Sequence, residues 1–238
     1  MRKLILVGVL LLAFAVTGSA EGVKPVFYAG GGISLPMKPS AIDAYAPFEI
    51  GFNDMYNSGM NFGGGVGFQI NPKFEVVGRV SYNSFSFDEA GFSQSVIDEF
   101  ERLSGISGLF TFTTDVEGGK LELLEFMADV KFSIPIGGEA EVFKLFLLGG
   151  VGMTNYKRAA SEMEVTVSLP PIIDTTFTER DDGQTETKLA FNLGAGFDWM
   201  VSSTVGIFAD VRYAQMAVTG DPTGYLPIRG GLIVKLGQ

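Results

Sequence analysis

The sequence predicts an all-β fold, an eight-stranded antiparallel up-and-down transmembrane β-barrel with long extracellular loops. Three observations carry that expectation. Beyond the first twenty residues no segment holds 18 consecutive apolar residues, so no helix is expected to span a membrane. Period-two alternation recurs instead, in eight runs. Short turns and long polar connections join those runs in turn.

Residues 1–20, MRKLILVGVLLLAFAVTGSA, have the three parts of a secretory signal: Arg2 and Lys3, the apolar run Leu4 to Val16, and the small residues Gly18, Ser19 and Ala20. Cleavage after Ala20 is expected, which leaves 21–238 as one barrel domain. The first run, Phe27 to Leu35, puts Phe27, Ala29, Gly31, Ile33 and Leu35 on one face and Tyr28, Gly30, Gly32 and Ser34 on the other. In the second, Phe62, Gly64, Val66, Phe68 and Ile70 share a face. The Asn71-Pro72-Lys73 turn leads to the third, where Phe74, Val76, Gly78, Val80 and Tyr82 oppose Glu75, Val77, Arg79, Ser81 and Asn83.

The fourth run sets Leu124, Phe126, Ala128, Val130, Phe132 and Ile134 against Leu123, Glu125, Met127, Asp129, Lys131 and Ser133. A connection through Pro135, Gly137 and Gly138 reaches the fifth, with Phe143, Leu145, Leu147, Val151 and Met153 opposite Lys144, Phe146 and Leu148. The sixth has Leu189, Phe191, Leu193, Ala195, Phe197 and Trp199 opposite Lys188, Asn192 and Asp198. The seventh has Val205, Ile207, Ala209, Val211 and Tyr213 opposite Phe208, Asp210 and Arg212. The last has Leu226, Ile228, Leu232, Val234 and Leu236 opposite Pro227, Arg229, Ile233 and Lys235. Every charge in these runs lies on the second face.

Period two alone leaves open whether the apolar face meets a soluble core or lipid. The charge-bearing face is rich in Gly, Ala and Ser, as a crowded interior requires. The runs match the roughly 9 to 11 tilted residues that cross a bilayer. The aromatics also sort into two girdles: Phe68, Phe74, Phe132, Phe143, Phe197 and Trp199 at the short-turn end, and Phe62, Tyr82, Tyr156, Tyr213 and Tyr225 near the long-connection end. Glu75, Arg79, Glu125, Asp129, Lys131, Lys144, Lys188, Asp198, Asp210, Arg212, Arg229 and Lys235 are then expected to face the lumen, where opposite charges pair. The hairpin plan repeats, since Gly65-Val66-Gly67-Phe68 leading to Tyr82 parallels Gly194-Ala195-Gly196-Phe197 leading to Tyr213.

With these features the chain resembles the small outer-membrane β-barrel proteins of Gram-negative bacteria, the OmpA/OmpX-like porin-family barrels, over essentially all of 21–238. The resemblance implies residence in the cell outer membrane, lipid as the surrounding partner, and insertion by the outer-membrane assembly machinery. That machinery reads an alternating last strand closing on an aromatic; here Leu232, Val234 and Leu236 alternate, but the chain ends Gly237-Gln238.

Composition narrows function. Removing Arg2 and Lys3 from the 17 basic residues leaves 15 against 27 acidic ones, a net charge of -12, which argues against nucleic acid as a partner. Absence of cysteine excludes disulfides and an acylated lipoprotein. Absence of histidine removes the commonest general base and metal ligand. The glycine clusters at 30–32, 63–65 and 149–152 lack GxGxxG and Walker patterns. Asp198 and Asp210 could form an acid and base pair, but lumen ion pairing is the better reading, so no enzyme activity, cofactor or metal is expected.

The long connections hold the remaining signals. Residues 84–119 carry seven acidic residues and one Arg, and SQSVIDEFERLSG predicts a helix with Ser95 as N-cap, Gly105 past its end, and Val96, Phe100 and Leu103 on one face. It is expected to pack on the barrel rim. Residues 157–186 hold seven acids against three bases and the alternating MEVTVSL before Pro170-Pro171, so the fifth and sixth strands are expected to extend there. Two functions fit: a structural or surface-interaction role through the loops, its extracellular partner unspecified, or a narrow channel or pocket for a small solute, apolar ones included.

Overall fold

The structure is a computed structural model that describes residues 24–37, 52–105, 111–136, 142–169, 173–217 and 223–236. Residues 1–20, expected to be a secretory signal, lie outside the described residues, as do Gly137-Gly138 and Pro170-Pro171.

Eight strands close into a barrel: β1 (Lys24–Met37), β2 (Gly59–Gln69), β3 (Phe74–Phe85), β5 (Leu121–Ile136), β6 (Phe143–Arg158), β9 (Gln184–Met200), β10 (Val205–Met216) and β11 (Thr223–Lys235). Every neighbouring pair is antiparallel, and β1 closes the circle against β11. Between β3 and β5 lie α2 (Glu89–Ser104) and β4 (Thr111–Gly118). Between β6 and β9 lie β7 (Ser161–Leu169) and β8 (Ile173–Asp181), and α1 (Phe52–Met55) precedes β2. No helix among the described residues is long and apolar enough to cross a membrane.

The register fixes the shape. From Phe27 the ladder runs through Val66, Gly78, Ala128, Val151, Phe191, Gln215 and Gly224, and returns to β1 at Met37, ten residues along. Ten rises of about 3.3 Å across eight spacings of about 4.8 Å tilt the strands by about 40°. About ten residues then cross the roughly 25 Å apolar band of such a barrel. β5, β6 and β9, at 16, 16 and 17 residues, rise beyond it at the long-connection end.

The short turns are fixed by side-chain acceptors. Asn71 Oδ1 accepts from the backbone N–H of Lys73 and Phe74 at 2.9 and 3.0 Å, and Ser202 Oγ accepts from that of Val205 at 3.0 Å.

At the other end the structure departs from two expectations. The helix begins seven residues earlier than predicted, because Asp88, not Ser95, caps it: Asp88 Oδ1 accepts from Gly91 N at 3.1 Å. Gly105 ends it in the left-handed conformation, its N–H bonded to Glu101 O. β6 and β9 extend as expected, to Arg158 and from Gln184, but the alternating MEVTVSL belongs to neither. It forms β7, the centre of a separate three-stranded sheet ordered β4-β7-β8.

Candidate functional site

The barrel interior is the chemically densest region. Lumen side chains are large, so the wall facing them has to be small. A Cβ at Gly196 would stand 2.6 Å from Phe146 Cζ, and one at Gly194 would stand 2.8 Å from Arg212 Cγ. Glycine at these places is a demand of close approach.

Three buried carboxylates and three buried guanidinium groups form the central network. Arg79 donates to Asp129 at 3.1 Å and to Glu125 at 3.3 Å. Arg212 bridges Asp129 at 2.9 Å and Asp210 at 3.0 Å, and Arg229 donates to Asp210 at 2.8 and 3.1 Å. Asn192 adds a bond to Asp129 at 2.7 Å, and Glu125 also accepts from Asn83 at 3.2 Å, from Ser81 and from Tyr225. Each carboxylate therefore has two or more donors, as burial of a charge demands.

Nearer the short turns a second group forms. Lys131 pairs with Asp198 at 2.6 Å and donates to Tyr28 Oη at 3.1 Å, while its ammonium lies 4.1 Å from the Phe146 ring centroid. Tyr28 in turn donates to Glu75 at 2.8 Å. Lys144 is buried beside this group. Lys188 and Lys235 stand apart at the two ends, both partly exposed: Lys188 pairs with Glu186, and Lys235 borders the short-turn mouth. Among the described residues, two small cavities border this group, of about 30 and 20 Å³, both lined by Tyr28 and Asp198. Each is room for a water molecule or two. Asp198 Oδ1 has no hydrogen-bond partner among the described residues.

Above the ions the chemistry reverses. Phe52, Met55 and Tyr56 at α1 and Phe92 and Val96 of α2 pack with Phe85, Leu121, Leu123, Tyr156, Ala214, Met216 and Tyr225 from the barrel wall. This apolar cap sits across the long-connection end. Val96 belongs to it, Leu103 is half exposed, and the cap's second helical anchor is Phe92, one turn before Val96.

Two predicted girdle aromatics are corrected here. Tyr225 is fully buried and donates to Glu125, and Tyr156 is buried in the cap with its hydroxyl on Gln184 Oε1 at 2.9 Å. Each shares parity with inner residues, Tyr225 with Arg229 and Tyr156 with Lys144, so the signal that places them inside was present in the alternation. The other aromatics lie on the outer face. Phe62 pairs with Tyr82 at 5.1 Å between ring centroids, Phe74 with Phe132 at 5.0 Å and Phe143 with Phe197 at 5.6 Å. Phe68, Trp199 and Tyr213 are part or half exposed on the same face. Neutral polar residues that charge counting passed over, Tyr28, Ser34, Asn61, Ser81, Asn83 and Asn192, are what satisfy the buried ions and one another.

No cluster of potential metal ligands occurs among the described residues. Glu122, at the rim above Tyr82, accepts from the Tyr82 hydroxyl at 2.6 Å and from Lys120 at 3.0 Å, and these two bonds hold its carboxyl below the ordinary value of 4.5.

Comparison with known proteins bears on the same architecture. A family model, the outer membrane protein beta-barrel domain, matches residues 6–225. Among solved structures the chain is similar to Neisserial surface protein A, at 15% identity and a TM-score of 0.47 over 91% of this chain and 100% of that one. It is also similar to Ail, the attachment invasion locus protein of Yersinia pestis (14% identity, TM-score 0.38, 90% and 99% covered). A third is the outer membrane protein OprG from Pseudomonas aeruginosa (13%, 0.40, 91% and 95%). No curated protein matches it. With eight antiparallel strands in one closed barrel and the family match over most of its length, the chain belongs to the outer membrane protein β-barrel family and resides in the outer membrane.

Proposed function

We propose that this protein has a structural or surface-interaction role in the outer membrane, exercised by its long connections on the outside of the cell, and that its lumen carries no solute. The observation that supports this most is the double closure of the tube. Ion pairs fill the middle, and an apolar cluster crosses the long-connection end. Eight strands leave an interior just wide enough for side chains, and here they occupy it. The channel or pocket reading needs an apolar cavity under the cap, whereas the lumen cavities of about 30 and 20 Å³ lie among charges at water scale.

The protein is read as non-catalytic. The chain has no histidine, and Asp198 and Asp210 are each held by a cation, at 2.6 and 2.8 Å. Surrounding lipid meets the outer face with its aromatic pairs, and the assembly machinery is the expected partner during insertion. Reconstitution of the mature chain into planar bilayers tests the role: the expected record is silent, and steady unitary openings would overturn the closed-lumen reading.

A further inference from the structure

Among the described residues β8 is an open sheet edge. Its inner side pairs with β7 from Ser161↔Asp181 to Leu169↔Ile173, and no described strand pairs with its outer side. The opposite edge, β4, has α2 packed beside it. Natural sheets blunt such edges with Lys, Pro or a bulge. The middle of β8, Thr175-Thr176-Phe177-Thr178, has none of these: all four residues are exposed, Phe177 at 60 %.

The edge from Ile173 to Asp181 is self-complementary at its centre and at one charged position, while Thr175 would meet Glu179 and Ile173 would meet Asp181. An antiparallel pairing of two β8 strands centred on Phe177 sets Phe177 against Phe177, Thr176 against Thr178, and Asp174 against Arg180. The charged pairing occurs twice by symmetry, and opposed residues lie on one face of the joined sheet. A shift of the centre by one residue in either direction loses both charged pairs. Arg180 is exposed and bonded to Glu162 of β7 at 3.0 Å, so in the joined sheet it lies between two carboxylate-bearing strands.

We infer that β8 is a self-recognition edge, through which a second copy of this chain adds its own β8 to make a continuous six-stranded sheet. The pairing is short for a stable interface, which ordinarily buries 1,200 to 2,000 Å², so the association is weak and depends on both copies being confined to one membrane. The inference deepens the surface role by naming the partner. It does not depend on a closed lumen, so the conductance test and the test of the edge can fail separately.

The chain has no cysteine, which allows a direct test. Phe177→Cys and Thr175→Cys are made singly in the full mature chain, reconstituted in phosphatidylcholine vesicles and oxidised mildly. Opposed residues in an antiparallel pair fall within disulfide reach, whereas two copies of residue 175 stand four positions apart along the strands. The expected result is a cross-linked dimer for Phe177→Cys with at least ten-fold less for Thr175→Cys. Adding Arg180→Asp to Phe177→Cys lowers the yield at least five-fold, and further adding Asp174→Arg restores it. Circular dichroism of each variant checks that the barrel is intact. Monomer alone at residue 177, equal yields at 175 and 177, or indifference to the charge exchange would overturn the inference.

Discussion

The lumen and the cap close one tube with opposite chemistry. In the lumen the enclosing wall is thin and lipid lies beyond it, so the apolar side chains go outward and the polar ones are left to fill the middle as Arg79, Arg212 and Arg229 against Glu125, Asp129 and Asp210. Beyond the membrane no lipid competes for apolar groups. There α1, α2 and the rims of β3, β5, β6, β10 and β11 bury Phe52, Phe85, Phe92 and Leu121 together as a water-soluble core does. Each region is thus specified by its surroundings, and each should fail in its own way.

The largest expected effect lies in the lumen. Asp210→Ala leaves Arg212 and Arg229 buried with a carboxylate removed from between them. Breaking a buried pair by removing one partner costs about 3 to 5 kcal/mol. Urea unfolding of the barrel in micelles should show that loss over the whole cooperative transition. If the midpoint moved by less than a few tenths of that, the ions would be spectators in a barrel held by its strand ladder alone.

Phe52→Ala tests the cap. Phe52 is fully buried between the rings of Tyr56 and Phe85, at 5.2 and 5.3 Å between centroids, and its truncation should cost about 3 kcal/mol. The loss is expected to be local. Limited proteolysis should cut between 52 and 105 much faster, while the barrel transition shifts less than with Asp210→Ala. Since the two sites share no partner, the double variant should be additive within about 0.5 kcal/mol. Strong coupling would mean that cap and lumen are one cooperative unit, and the contrast drawn above would not hold.

The same division governs what could be read from the sequence. In the barrel one rule of parity holds from Phe27 to Lys235, and it places the ions and the outward Trp199 correctly relative to each other, because lipid enforces alternation at every position. Tyr225 and Tyr156 depart from the girdle expectation because aromatic type and parity disagree there, and parity prevails. The cap has no such repeating constraint. Phe52 and Met55 sit on a four-residue helix whose burial comes from distant Phe85 and Leu121, and no local pattern announces it. The sequence offers Ser95 as the N-cap, yet Asp88 does the capping, and its backbone N–H is fixed by Met55 O at 2.8 Å, a contact across 33 residues of chain. β4 alternates too, but its partner β7 lies in another connection, which a single run cannot reveal.

The smallest effect is expected at the boundary between the two regions. Glu122 accepts from Tyr82 and Lys120, with Lys157 at 3.6 Å, so it joins the outer aromatic girdle to the rim. Its carboxyl is held below its ordinary value, so its charged form is favoured by folding. That contribution is in place at neutral pH, above the unfolded value, and is lost as acidification passes through the lowered folded value, below pH 4.5. Glu122→Gln keeps an acceptor for Tyr82 but not the charge, and for so open an ion pair the cost should be on the order of 0.5 kcal/mol. Measured as the pH dependence of the unfolding midpoint, the variant and the parent should differ at pH 7, and the difference should shrink as the pH falls below 4.5. A difference that persisted unchanged in that acidic range would assign the effect to packing of the glutamate side chain at the rim, and would make this boundary more like the cap than like the lumen.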